Sequence, residues 1–309
     1  MKRIIALSVA VVSLTATRAA GPDSLAGLVW RNIGPLRAGR VSAVSGAVGE
    51  AGVFYAGFPT GGLWRTSNAG VTWEPVFDAI TSTSAIGAVQ VAPSDTSVIY
   101  VGTGDMPTGG NINEGDGVYK STDAGKSWQH LGLDDTRQIP SILVDPHDPN
   151  LVLVAAQGNR YTKSDQRGVF RSTDGGKTWN KTLYAADSVG VERLAWANDA
   201  PSTVLAATDL HYVNVNGSGG GGGRGGANGP TATMLFKSTD QGLTWHEVTG
   251  GGLPRLFGRV SIAVAQHTNA QRMYLIGNFG LYRSDDGGAS WRQMDAGDRR
   301  VGNGQGGYN

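Results

Sequence analysis

The 309-residue chain contains no cysteine, so no disulfide framework holds it and no thiolate is available to structural zinc. Charge is scarce too: 17% of residues are Asp, Glu, Lys or Arg, and the net charge is +1. Binding a polyanion needs a basic stripe, so nucleic acid is not an expected partner. Long apolar runs are absent. The stretch Ile4 to Leu14 is too short to cross a bilayer as a stable anchor. With Lys2 and Arg3 ahead of it and Thr17-Arg18-Ala19 behind, it reads as a signal peptide over residues 1–20. The mature chain is therefore expected to be secreted or periplasmic. The five histidines lie scattered without ligand spacing, which speaks against zinc. A calcium site is conceivable on Asp105, Asn111, Asn113, Glu114 and Asp116, but their spacing fits no EF-hand loop, and neither a metal nor a cofactor is expected. No Gly-x-Ser-x-Gly elbow marks a hydrolase serine. Gly125-Lys126-Ser127 and Gly176-Lys177-Thr178 imitate the end of a phosphate-binding loop, yet Lys120 and Arg171 stand where its upstream glycine belongs.

Glycine, by contrast, is abundant at 48 residues, about twice the usual share. Much of it falls in turns. A separate Gly-rich run, 216–229, reads as a disordered surface loop. The turns themselves repeat. Five octets of the form Ser/Thr-x-Asp/Asn-x-Gly-x-x-Trp begin at Thr66, Ser121, Ser172, Ser238 and Ser284 (the last with Asp at its second position). Their third residues are Asn68, Asp123, Asp174, Asp240 and Asp286, and they close on Trp73, Trp128, Trp179, Trp245 and Trp291. Successive closing tryptophans are 55, 51, 66 and 46 residues apart. Each octet follows a short apolar run such as Gly117-Val118-Tyr119-Lys120, which reads as a strand running into a hairpin turn. The carboxylate or amide accepts turn N–H groups, the Gly supplies a positive φ, and the Trp buries an apolar plate at the start of the last strand.

A period near fifty residues with four short strands per unit predicts an all-β fold, a β-propeller of four-stranded antiparallel blades. Pro/Asp/Asn turns such as Asp145-Pro146-His147-Asp148-Pro149-Asn150 separate the two inner strands. The expected blades lie at about 38–78, 84–133, 137–185, 189–249 and 257–295, within a propeller domain over 28–309. Trp30-Arg31-Asn32-Ile33 resembles a closing last strand, and Arg300 onward resembles the run into a partial sixth blade. The expectation is therefore a fragment of a larger propeller.

The octets are the Asp-box, or BNR repeat, and the chain resembles the Asp-box propellers: sialidases, xyloglucan hydrolases, sortilin-type luminal domains and secreted bacterial BNR proteins. The resemblance is nearest to the last group, through Asn32-Ile33-Gly34-Pro35, Gly39-Arg40-Val41-Ser42-Ala43-Val44 and Ile99-Tyr100-Val101-Gly102-Thr103-Gly104. It implies the fold and says little of activity, because the shared motif lies in structural turns.

Propellers gather ligands at one mouth, on the segments entering the inner strand and the loops joining strands two and three. Arg40, Gln138 and Arg259 align just before inner strands, with Arg137, Arg193 and Arg300 close by. Guanidinium groups converging there would suit an anionic or polar ligand; the competing reading pairs each with a neighbouring acid. Asn159, Arg160 and Tyr161 occupy a loop that could line the same mouth. The loop from Asp105 to Asp116 carries Asp105, Glu114 and Asp116, and further acids at the mouth are Asp165, Glu192 and Asp209. Asp105, Glu114 and Asp116 are the catalytic candidates if the chain is a hydrolase, because a glycosidase needs two facing carboxylates.

The resemblance itself leans away from catalysis. Sialidases open with Phe-Arg-Ile-Pro where this chain has Gly39-Arg40-Val41-Ser42. Xyloglucan hydrolases carry an acid near the first Gly-Gly strand, where this chain has Phe58-Pro59-Thr60-Gly61-Gly62. The expectation is thus a non-catalytic, sortilin-like module that binds a peptide, protein or glycan ligand at its mouth. A glycoside hydrolase is the alternative.

Overall fold

The structure, a computed structural model, describes residues 40–104, 113–210, 233–294 and 296. These all fall in one compact unit, Ala38–Asn309. The expected signal segment, the Gly-rich run 216–229, Asp105 and Arg300 lie outside the described residues.

Twenty strands form five four-stranded antiparallel sheets among the described residues, each built from consecutive strands. The first contains β1 (Ala43–Gly46), β2 (Phe54–Phe58), β3 (Gly62–Thr66) and β4 (Glu74–Pro75). The second contains β5 (Ile86–Ala92), β6 (Asp95–Thr103), β7 (Val118–Ser121) and β8 (Gln129–His130). The third contains β9 (Ser141–Val144), β10 (Val152–Ala156), β11 (Gly168–Ser172) and β12 (Asn180–Leu183). The fourth contains β13 (Val189–Ala197), β14 (Ala200–Leu210), β15 (Leu235–Ser238) and β16 (His246–Glu247). The fifth contains β17 (Val260–Val264), β18 (Met273–Gly277), β19 (Gly280–Ser284) and β20 (Arg292–Gln293). First strands pack in succession, β1 on β5, β5 on β9, β9 on β13 and β13 on β17. The chain is an all-β propeller, and each sheet is a blade. Among the described residues no helix is long and apolar enough to cross a membrane.

Strand alternation explains why the blades stack. Along β10, Val152, Val154 and Ala156 face the second blade, while Leu151, Leu153 and Ala155 face the fourth. Both faces are buried, so the run reads as continuously apolar instead of alternating. β6 behaves likewise, with Val98 and Tyr100 on one side and Ile99 and Val101 on the other. Burying such side chains stabilises by about 1.5–3 kcal/mol each, and the four interfaces between blades form the core. Backbones approach closely at the inner strands: a Cβ on Gly102 would stand 2.3 Å from Ile139 Cγ2. On the outward sides of the first and fifth blades, Val44, Phe54 and Ile276 are exposed.

The octets close each blade by a common network. In the third blade the buried Ser172 hydroxyl donates to Asp174 Oδ1 (2.8 Å) and accepts the Gly176 N–H (2.8 Å). Asp174 in turn accepts the Thr178 N–H (2.9 Å) and its hydroxyl (2.6 Å). These half-buried to exposed carboxylates stay ionised: the Ser127 hydroxyl and N–H bring Asp123 down to about 2, and the Ser290 pair does the same for Asp286. The octet glycines adopt positive φ, as at Gly125 (90°) and Gly288 (93°). The residue before each glycine does so too, including non-glycine Ala69 (57°), Ala124 (59°) and Gln241 (57°), which the octet reading did not anticipate. The tryptophans also differ from expectation. Of the five octet tryptophans only Trp291 is buried, and Trp128 and Trp179 donate their indole N–H to Val76 O (2.6 Å) and Leu131 O (3.0 Å) of the preceding blade. They tie blade to blade.

Candidate functional site

The second strand of every blade rises away from the octet, and the third descends back to it. The loops joining them therefore lie opposite the octets, beside the segments entering the inner strands. On this side the second and third blades are linked through Glu114. Its Oε1 accepts the Asn159 Nδ2–H (3.1 Å), and its Oε2 lies 3.8 Å from Arg137 Nη1. Asn113 Nδ2 reaches Pro59 O of the first blade at 3.4 Å. Arg137 sits just after a 3-10 turn, Asp134–Thr136, and also pairs with Asp135 at 3.4 Å. Asp116 is engaged within its own blade: Oδ1 accepts the Thr103 hydroxyl (3.2 Å) and Oδ2 the Tyr119 hydroxyl (2.7 Å). Of the two described acids in that loop, Glu114 faces the neighbouring blade.

The blade-three loop 157–166 is folded around a cation. Arg167 is completely buried, and its guanidinium donates to four backbone carbonyls: Asp187 O (2.8 Å), Thr162 O (2.9 Å), Gln157 O and Asn159 O. Burial pushes its pKa down to about 10. The loop presents Asn159 toward Glu114 and leaves Tyr161 exposed, with the Tyr161 N–H donated to Asn159 Oδ1 (2.8 Å). Arg160 is half-buried on the same loop. Lys163 pairs with Asp187 at 3.2 Å, and Asp165 accepts the Gln166 amide.

The deepest acid is Glu192. Residues paired three positions before the octet Ser/Thr define an equivalent site in each blade: Ala43, Ala88, Ser141, Arg193 and Ser261 on the inner strands. The residue just before it is Ser42, Gly87, Pro140, Glu192 and Val260 in turn. Only the fourth blade places a carboxylate there, at a β-bulge between Val191 and Arg193, a device that re-aims a side chain. Glu192 is 2% exposed. Its Oε1 lies 3.5 Å from Arg259 Nε, while Oε2 has no hydrogen-bond partner among the described residues. The ion pair argues for an ionised carboxylate, yet burial dominates and the Asp209 carboxylate adds to it, raising Glu192 to about 7. A single long contact to a half-exposed arginine does not offset desolvation. Arg193, half-buried in the next position, is lowered by desolvation. Gln138 and Gln157 stand nearby in the chain path, joined by Gln157 N to Gln138 O (2.9 Å), and the Oε1 of each is buried without a donor among the described residues. Arg40 is exposed at the start of the first inner strand.

The structure thus brings Glu114, Arg137 and Asn159 together, and separately Glu192, Arg193, Arg259 and Asp209. Gln157 and Arg167 were missed in the sequence; Gly158 beside them was the available signal. Among the described residues no three His, Cys, Asp or Glu side chains gather to hold a metal.

Comparison with known proteins now bears on this site. The family model described as sortilin, neurotensin receptor 3, matches residues 61–217. A xyloglucanase from a Paenibacillus species is 27% identical over 230 residues, covering 65% of this chain and 20% of that protein. A xyloglucanase from Hypocrea jecorina is 26% identical over 217 residues, covering 64% and 25% respectively. The chain spans a fifth to a quarter of the length of these relatives. Among solved structures, an ancestral GH74 enzyme superimposes with a TM-score of 0.64 at 20% identity, covering 89% of this chain and 33% of its own. YCF48 bound to D1 peptide gives a TM-score of 0.50 at 16% identity, covering 85% and 68%. These structures share the propeller fold. The relatives correct one expectation: a non-catalytic interaction module does not fit a chain whose curated relatives are xyloglucanases.

Proposed function

The chain belongs to the sortilin family of propellers, and from that premise we propose that it is a glycoside-hydrolase-type propeller acting on a xyloglucan-like polysaccharide. The observation that carries the chemistry is Glu192, a carboxyl kept protonated toward neutrality by burial at a bulge of the inner strand. Hydrolysis of a glycoside needs an acid that still holds its proton at working pH, so that it can protonate the departing oxygen. In this reading Glu192 is that acid. Asp209 is the neighbouring carboxylate that raises it and, ionised, is the second member of the pair, attacking the anomeric carbon or activating the water that does so as the protonated oxygen departs. Arg259 pairs with Glu192, and Arg259 and Arg193 together limit how far Glu192 rises. Glu114, Arg137, Gln138, Asn159, Arg160 and Arg40 supply polar contacts along the mouth, with Asp105 and Arg300 further candidates outside the described residues. That the relatives are xyloglucanases supports the substrate class.

A polysaccharide is too large to enter a cell, which fits export through the signal over residues 1–20. N-terminal sequencing of the exported chain should show about twenty residues removed. The test of function is depolymerisation of soluble xyloglucan by the full chain and by Glu192→Gln. Wild type should release reducing ends, and the variant should be slower by about 10²–10⁴-fold. A wild type inert on xyloglucan and on related β-glucans refutes the reading, as does an equally active variant.

A further inference from the structure

We infer that the blade-three loop 157–166 is a preformed platform for a neutral sugar ring, with Tyr161 as the stacking surface and buried Arg167 as its positioning residue. The inference rests on the reading of the mouth as a polysaccharide site and specifies one part of it.

Four observations carry it. First, a fully buried guanidinium is costly unless its donors are used, and Arg167 spends them on carbonyls of one loop and of Asp187. A planar fork can hold several carbonyls at fixed angles, which a lysine ammonium cannot. Second, the loop wraps the side chain so closely that only glycine fits at the bend. Gly158 has φ +71°, and a Cβ there would stand 2.7 Å from Arg167 Cγ. Third, the loop's own amides are used: Tyr161 N–H to Asn159 Oδ1 (2.8 Å) and Ser164 N–H to Asp187 O (3.0 Å). Fourth, this ordering leaves a large aromatic side chain 48% exposed at the mouth, next to Asn159 and Glu114, whose polar atoms face each other at 3.1 Å. An aromatic face beside amide and carboxylate groups matches a pyranose ring, apolar on its faces and hydroxylated on its rim. Arg167 touches no ligand in this arrangement; it acts through the loop.

The test is a double-mutant cycle read by binding. A xyloglucan oligosaccharide is titrated calorimetrically into the full-length wild type, Tyr161→Ala, Arg167→Lys and the double variant, alongside hydrogen exchange. Tyr161→Ala, a surface change, should weaken binding roughly tenfold, and Arg167→Lys similarly. The double variant should lose little more than either single change, because one residue acts through the other. Exchange at Tyr161 and Ser164 should accelerate in Arg167→Lys, while the octet amides of Gly176 and Thr178 in the same blade stay protected. Additive losses, unchanged binding in Tyr161→Ala, or a loss of octet protection equal to that of the loop overturns the inference. Binding with the predicted cycle but no turnover supports it while refuting the hydrolase reading. Turnover with binding indifferent to Tyr161 does the reverse, and no binding at all refutes both.

Discussion

At the octet end of each blade, carboxylates lie in water and are held ionised; at the mouth, Glu192 lies out of water and holds its proton. Asp123, Asp174, Asp240 and Asp286 are depressed by hydroxyls and N–H groups that favour the charged form. Glu192 is raised because burial penalises its charge and Asp209 repels it. Solvent exposure alone would predict only the second of these. The difference lies in donors: an octet carboxylate has several aimed at it, whereas Glu192 Oε2 has none among the described residues. Identical functional groups are thus turned to structure at one end and made available for proton transfer at the other.

The comparison can be broken at the octets first. Ser172→Ala removes an acceptor from the buried Gly176 N–H and a donor from Asp174. It should cost about 1–3 kcal/mol of stability, measured as a shift in urea midpoint without change in slope. An unchanged midpoint would show that the hydroxyl network is incidental. A smaller effect is carried by pH. Octet aspartates have folded pKa values below their unfolded values near 4, so the unfolded chain binds more protons between those limits. Their contribution is present above pH 4 and disappears as pH falls toward about 2, the value for Asp123 and Asp286. Asp123→Asn and Asp286→Asn should flatten that acid limb. Asn68, which already makes its octet bonds as an amide to Thr72, contributes nothing to it. Glu192 runs with the opposite sign: its folded pKa exceeds the unfolded one, so its effect lowers stability as pH climbs from about 4.5 to about 7. Glu192→Gln should remove that decline. A pH–stability curve in which both variants alter the same limb would contradict the contrast.

The octets were legible because each fixes residue types at adjacent positions, and local hydrogen bonds need only local sequence. Even there, the left-handed Ala69 and Ala124 went unseen, since nothing in an alanine announces a positive φ. The role of Trp128 as a tie to Val76 of another blade depends on how blades stack, which a repeat spacing does not convey. At the mouth, several acids were equally plausible in sequence. What separates Glu192 from Glu114 and Asp116 is burial by neighbouring blades and a bulge, both products of assembly. Arg167 had no signal beyond the nearby Gly158, because its partners are backbone carbonyls brought round by the loop and by Asp187, twenty residues on.

The most direct test of the mouth as a catalytic site is the pH dependence of kcat/KM on soluble xyloglucan. If Glu192 is the acid that protonates the leaving oxygen, wild-type activity falls as pH rises through about 7, and Glu192→Gln is slow at every pH and lacks that limb. Activity that persists unchanged well above pH 7, or a variant that keeps the wild-type profile, would contradict the account.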